Sequence, residues 1–493
     1  MGIADVDFGV LDAESDRNLS GYFVDTGVLG KLALGQKQFV IGRKGSGKTA
    51  LFRLATPTTL QNVAVVDIEF DQYPWEFHRQ LKQAGMMPES AFESSWRFLL
   101  LLMMVKEWSE HATGDLKKNA SDLLKTILPD PHRGFWATLV ARLRNPSKIS
   151  LPGATVAGHG GVSLGSVDLG KEDSTFAVSV MATHLSALTD LAAAAYPSHP
   201  VVIKVDRLDD SWDASPESQQ LIIGELKAAR SVNQSLHLHG RPAPILTFLR
   251  SDIFEMVKFN DKNKMATAVE RLDWPNDRLL DVLSRRIVSS LNVRQEDAWK
   301  AAFSEAEMRQ RAKPHSYFIR RTMGRPRDVI AFAIHCKEVA VDAGHEIVET
   351  VDIYEAEARY SQHLLAELSD ELHKQLPELQ GLLDSLREMG RMTFTFGDWL
   401  EASKRRSAGL TDAAAKVQLA TLYEASVIGV AKIGGSKGGS HYMFSYATPV
   451  LRPDFGGKMH VHPGLKKGLQ LKEGQSGEAD GPDEGEPEDD VDQ

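Results

Sequence analysis

Gly42-Arg43-Lys44-Gly45-Ser46-Gly47-Lys48-Thr49 has the residue types and spacing of a phosphate-binding loop. Glycines admit positive φ and close approach, so successive backbone N–H groups can wrap a polyphosphate. The start of a following helix, here at Ala50, adds partial positive charge. In such a loop Lys48 reaches the terminal phosphates and Thr49 offers its hydroxyl to Mg²⁺. The expected ligand is a nucleoside triphosphate, taken as ATP with Mg²⁺, held by Gly42 through Ala50.

That chemistry needs a strand before the loop, a helix after it and an acidic group at the end of a neighbouring strand. Gln38-Phe39-Val40-Ile41 supplies strand character, and Ala50-Leu51-Phe52-Arg53-Leu54 continues as helix. Val63 to Ile68, Pro200 to Val205 and Pro244 to Leu249 are apolar, β-branched runs suited to a parallel sheet covered on both faces. Asp206 ends the second of these runs and is the expected Mg²⁺ ligand; Asp67 and Glu69 are rivals after the first. Asp209 or Asp210 could orient the attacking water, or else cap the next helix. Arg207 holds the position directly after the Mg²⁺ aspartate, which argues for slow turnover. Arg250 ends the third run, where a cation can sense the γ-phosphate or pair with Asp252 or Asp206. Gly324-Arg325-Pro326-Arg327-Asp328 opens a helix, and Arg327 or Arg325 either reaches the nucleotide or forms a surface capping turn with Asp328.

At 493 residues the chain has room for about two to four domains. One cysteine, Cys336, excludes a disulfide framework and suits a small core position in a cytoplasmic protein. The start lacks a signal-peptide pattern, and the longest apolar run, Phe98 to Val105, is too short to span a bilayer. The net charge of −10 is concentrated: residues 473–493 hold ten acidic and no basic side chains, leaving 57 of each sign before them. Residues 391–472 carry twelve Lys/Arg against five Asp/Glu. There, Phe396 and Thr411 start helices, and two short strands flank Gly434 to Gly439, a plan like a winged helix. Scattered histidines and the absence of a nucleophile elbow give no metal centre or acyl-transfer site.

Asp12-Ala13-Glu14, the phosphate loop, Val205-Asp206-Arg207-Leu208-Asp209-Asp210, Leu249-Arg250-Ser251-Asp252 and Gly324 to Asp328 together resemble a bacterial P-loop ATPase family related to STAND and initiator-type AAA+ ATPases. The resemblance implies an α/β P-loop NTPase fold with a parallel sheet core, a helical lid and a C-terminal winged-helix-like domain. The resulting plan is a lead-in over 1–35, and a core over 36–273 with a helical insertion at 75–145 and a glycine-rich insert at 151–176. A helical lid over 274–354, a linker and winged-helix-like domain over 355–472 and a disordered acidic tail over 473–493 complete it. The expected function is a slowly hydrolysing, nucleotide-controlled switch for self-assembly or for a protein partner. The alternative is an initiator- or loader-type ATPase that binds DNA through residues 391–472, with Lys404-Arg405-Arg406 and Lys437 as phosphate contacts. A small-molecule kinase is a third class, but no substrate-binding segment between Leu54 and Pro200 supports it.

Overall fold

The computed structural model describes residues 2–69, 88–128, 174–209, 212–372, 376–432, 441–448 and 452–473. Asp210, Lys437, nearly all of the expected glycine-rich insert and all but Glu473 of the expected tail lie outside these residues. The chain divides into two compact units: Asp25–Arg43 with Gly47–Asp273, and Met1–Val24 with Lys44–Ser46 and Trp274–Gln493.

The first unit is an α/β layer structure. Strands β1 (Phe39–Gly42), β2 (Ala64–Glu69), β3 (Val201–Asp206), β4 (Ile245–Arg250) and β5 (Val269–Arg271) form one parallel sheet in the order β2-β3-β4-β1-β5. β1, β3 and β4 are buried along their whole length, as near-continuous apolar runs require when both sheet faces are covered. Along β3, Val201, Ile203 and Val205 join the core that includes Trp96, Leu99 and Leu226. Val202, Lys204 and Asp206 alternate onto the other face, where Lys204 reaches the carbonyl of Phe52 and Asp206 meets Thr49. The helix Pro88–His111, central to the expected insertion, packs on the helix Pro216–Ser235. Gly224 permits that approach, since a Cβ there would lie 2.6 Å from Cβ of Phe92. Trp96, fully buried, ties the pair by donating from Nε1 to the Leu221 carbonyl at 3.0 Å.

The second unit is helical and ends in a small antiparallel sheet. Helices Asn276–Leu291, Pro314–Ile319, Pro326–Ala343 and Thr350–Leu372 surround Phe318, Phe332 and Tyr360, whose rings stack at 4.3 and 4.6 Å. Cys336 is buried in this core. Burial of each such side chain contributes about 1.5–3 kcal/mol. The lead-in is more than a tether: Ile3, Val6, Phe8 and Val24 belong to this core. Buried Arg286 anchors it, donating to the Phe8 carbonyl and lying 4.2 Å above the Tyr22 ring. Helices Phe396–Arg406 and Asp412–Glu424, capped by Thr395 and Thr411, precede strands β7 (Ile428–Lys432), β8 (His441–Met443) and β9 (Met459–Val461), and β6 (Thr393–Phe394) completes the order β6-β9-β7-β8.

Candidate nucleotide site

The loop expected to hold phosphate leaves the end of β1 and enters the helix Lys48–Leu54. Gly45 and Gly47 adopt φ of +79° and +92°, which side-chain-bearing residues rarely tolerate. Lys48 is buried, and its ammonium donates to the carbonyls of Gly42 (3.0 Å) and Arg43 (3.1 Å), the loop's own first residues. Burial lowers its pKa, opposed by Asp209 and Asp206. The lysine is thus held within the loop by weak carbonyl acceptors, which an anionic phosphate can replace with a far stronger partner.

Because β4 lies between β1 and β3, the ends of three strands bring Lys48, Arg250 and Asp206 together. Asp206 is 3 % exposed; its carboxylate accepts from the Thr49 hydroxyl and the Arg207 N–H, and Oδ2 has no hydrogen-bond partner. Burial raises its pKa to about 6 despite those bonds and the Lys48 charge. A buried carboxylate oxygen without a partner is costly unless a cation completes it, so Asp206 and Thr49 fit a Mg²⁺ ion. Ser46 Oγ is buried and also lacks a partner, as a phosphate donor would. Arg207 has φ of +60°, so the residue after the aspartate is strained where the chain leaves β3.

Arg250 forms a two-bond pair with Asp252, Nε to Oδ1 at 3.0 Å and Nη2 to Oδ2 at 2.7 Å, and its Nη1 lies 3.6 Å from Asp209 Oδ2. Of the pairings the sequence left open, Asp252 is the one formed. Asp209 does not cap the next helix; Ser215 does, accepting from the Ser218 N–H. Of the rivals, Asp67 is half-exposed and pairs with Lys204 at 3.1 Å, and Glu69 stands opposite Asp206 in register.

Within the helical unit, Arg325 and Arg327 differ sharply. Arg325 is 2 % exposed and forks onto Asp328 at 2.9 and 2.8 Å, with Nη1 on Glu371 at 3.1 Å and on the Lys44 carbonyl at 3.0 Å. The expected surface capping turn is therefore a buried ion-pair cluster. Arg327 is partly exposed, lies 3.3 Å from Glu367 through Nη1, and has a buried Nε without a hydrogen-bond partner. Its backbone N–H donates to the Gly45 carbonyl at 3.3 Å, and Trp274 Nε1 donates to that of Ser46 at 2.9 Å. The roles of Trp274, Glu367 and Glu371 carry no sequence signal, because they arise from contacts 40 or more residues apart.

Residues 277–369 match the FunZ-associated C-terminal helical domain. A curated relative, the putative transposon gamma-delta 80.3 kDa protein of Escherichia coli K12, is 22 % identical over 94 % of this chain and 67 % of its own length. Among solved structures, the chain is similar to the ORC2 protein of Aeropyrum pernix in ADPNP and ADP complexes (11 % identity, 92 % and 96 % of the two chains, TM-score 0.41). It is also similar to Cdc6p of Pyrobaculum aerophilum (13 % identity, 92 % and 91 %, TM-score 0.30). The sheet order and the glycine-rich loop after β1, rather than these overall superpositions, define the fold: a parallel five-stranded α/β core with a helical domain. No helix among the described residues is long and apolar enough to cross a membrane.

Proposed function

We propose that the protein binds ATP with Mg²⁺, hydrolyses it slowly, and uses the nucleotide's charge state to control self-assembly or a partner interface. The observation that carries this reading is the pairing of a glycine-rich loop, entering a helix at Lys48, with Asp206, whose buried Oδ2 lacks a partner. Thr49 and Asp206 would hold the Mg²⁺, which would neutralise phosphate charge there. Lys48 leaves the loop carbonyls to bind the terminal phosphates. Ser46 and the loop amides bind the remainder. Asp209 or Asp210 orients water, and Arg207 in the adjacent position keeps turnover slow. Arg250 and Arg327 are the candidate reporters of the γ-phosphate, each exchanging a carboxylate partner for phosphate oxygens. The nucleotide-bound state named for the Aeropyrum pernix ORC2 structure agrees with this ligand class.

Isothermal titration of the full chain with Mg-ATP tests the reading, with Lys48→Ala as the control. We expect binding by the natural protein and at least about a hundredfold loss in the variant. No heat with either ATP or GTP, or unchanged affinity in Lys48→Ala, would overturn the assignment.

A further inference from the structure

The positive excess over 391–472 is divided unevenly. Residues 391–425 hold five Lys/Arg and four Asp/Glu, whereas residues 426–472 hold seven Lys/Arg against Asp454 alone. In the helical part Arg405 pairs with Glu401, Arg406 with Glu388, and Arg391 with Asp398. The exposed positions of the helix Asp412–Glu424 are Ala413, Lys416 and Val417, bounded by an acidic residue at each end. A helix that reads a major groove needs cations and amides on that face. This one has a single lysine. The excess lies after that helix, over residues 426–472.

Alternation along the strands buries Phe394, Val430, Met443 and Met459, and turns Thr393, Ala431, Tyr442 and His460 to the other side. The Tyr442 and His460 rings stack there at 4.6 Å between centroids and 18° between planes, both half-buried. They meet across β7, where Ala431 is opposite Tyr442 and Gly429 opposite His460, residues too small to keep the rings apart. Thr393 Oγ1 lies 2.9 Å from His460 Nδ1 and fixes the imidazole plane. Exposed Lys458 immediately precedes β9, two residues before His460, so alternation turns it to the same side as that ring.

We propose that this sheet face binds single-stranded nucleic acid, with an unpaired base stacking on the Tyr442–His460 pair and a backbone phosphate on Lys458. Every base has a π-face, so stacking binds single strands with little sequence preference, whereas a duplex hides those faces within its own stack. The adjoining Lys458 adds a salt-dependent attraction for the backbone. An acidic protein segment would satisfy Lys458 but not the paired rings. The proposal goes beyond the nucleotide switch and does not rest on it.

The test is fluorescence anisotropy of the full chain with labelled oligothymidine, with oligouridine, and with a duplex of equal length, at low and raised salt. Binding to single strands, weak binding to the duplex, and loss of about tenfold or more in Tyr442→Ala are expected. Tyr442→Phe should retain affinity, which separates stacking from a folding defect, and Lys458→Ala should flatten the salt dependence by about one charge. The two single-stranded probes distinguish DNA from RNA as the natural source. Equal binding of duplex and single strands, an unaffected Tyr442→Ala, or no binding to any probe would each overturn the proposal. Mg-ATP titration of the same variants is expected to be unchanged, so failure here and failure of the nucleotide reading remain separable.

Discussion

Asp206 is the residue on which the proposed metal binding turns. It is buried, bonded to Thr49 and Arg207, and left with one oxygen unmatched. Asp206→Asn keeps the shape and removes the charge, so the gain in ATP affinity produced by Mg²⁺ should largely vanish while metal-free binding persists. Titrations with and without the metal measure the difference. Glu225 makes a different kind of statement. It is wholly buried beneath β4, accepts from the Thr247 hydroxyl at 2.6 Å, and burial pushes its pKa from 4.5 to about 8. Between those values the unfolded chain ionises this group and the folded chain keeps it protonated. Its contribution is therefore fully present below about pH 4.5 and is lost as the pH rises to about 8. Glu225→Gln should raise the Tm at about pH 8 by roughly 4 °C or more and leave it nearly unchanged at about pH 5, as thermal melts can show.

At the scale of elements, the turn opening the helix Pro326–Ala343 assigns two arginines to different work. Arg325 closes a buried cluster with Asp328 and Glu371, so Arg325→Ala takes from the buried Asp328 carboxylate the guanidinium that forks onto it. A loss of about 3–5 kcal/mol follows, measured by denaturant unfolding. Arg327, held by a single longer contact with Glu367, should tolerate alanine within about 1 kcal/mol while losing discrimination between ATP and ADP. A variant that melts normally and still separates the two nucleotides would remove Arg327 from the site. The phosphate loop shows the same division between conformation and chemistry. Gly47, at φ of +92°, resists any side chain for backbone reasons, whatever its ligand.

Across the whole molecule, the first residues and the last 220 form one compact unit, and the α/β sheet forms the other. Ile3, Val6 and Phe8 are each at most 2 % exposed. Deleting residues 2–9 should therefore cost the helical unit on the order of 5 kcal/mol, seen as an early unfolding transition that leaves the α/β unit's own transition in place. Light scattering with and without a non-hydrolysable ATP analogue examines the switch itself. A change in assembly state with nucleotide, absent in Lys48→Ala, is the expected outcome.

The phosphate loop, the three long strands and the helices were readable because their signals are local. Glycine spacing, apolar runs and capping residues such as Thr411 act within one turn or one strand. The short strands β5 and β6 were not readable, since two or three residues become strand only by pairing with a distant neighbour. The apolar residues of the lead-in carry no period, so only the helical core shows that Ile3, Val6, Phe8 and Val24 are buried together. Charge misled in the same way. Lys404, Arg405 and Arg406 read as a basic patch, but two of the three are matched by Glu401, Glu388 and Asp384 in space. Sequence alone determined that the chain has a phosphate loop, an acidic strand end and a basic carboxyl-terminal region. Tertiary structure alone decided which arginine is buried, which aspartate keeps an open oxygen and which rings stack across the small sheet. Burial and ion pairing are properties of neighbours, and folding chooses the neighbours.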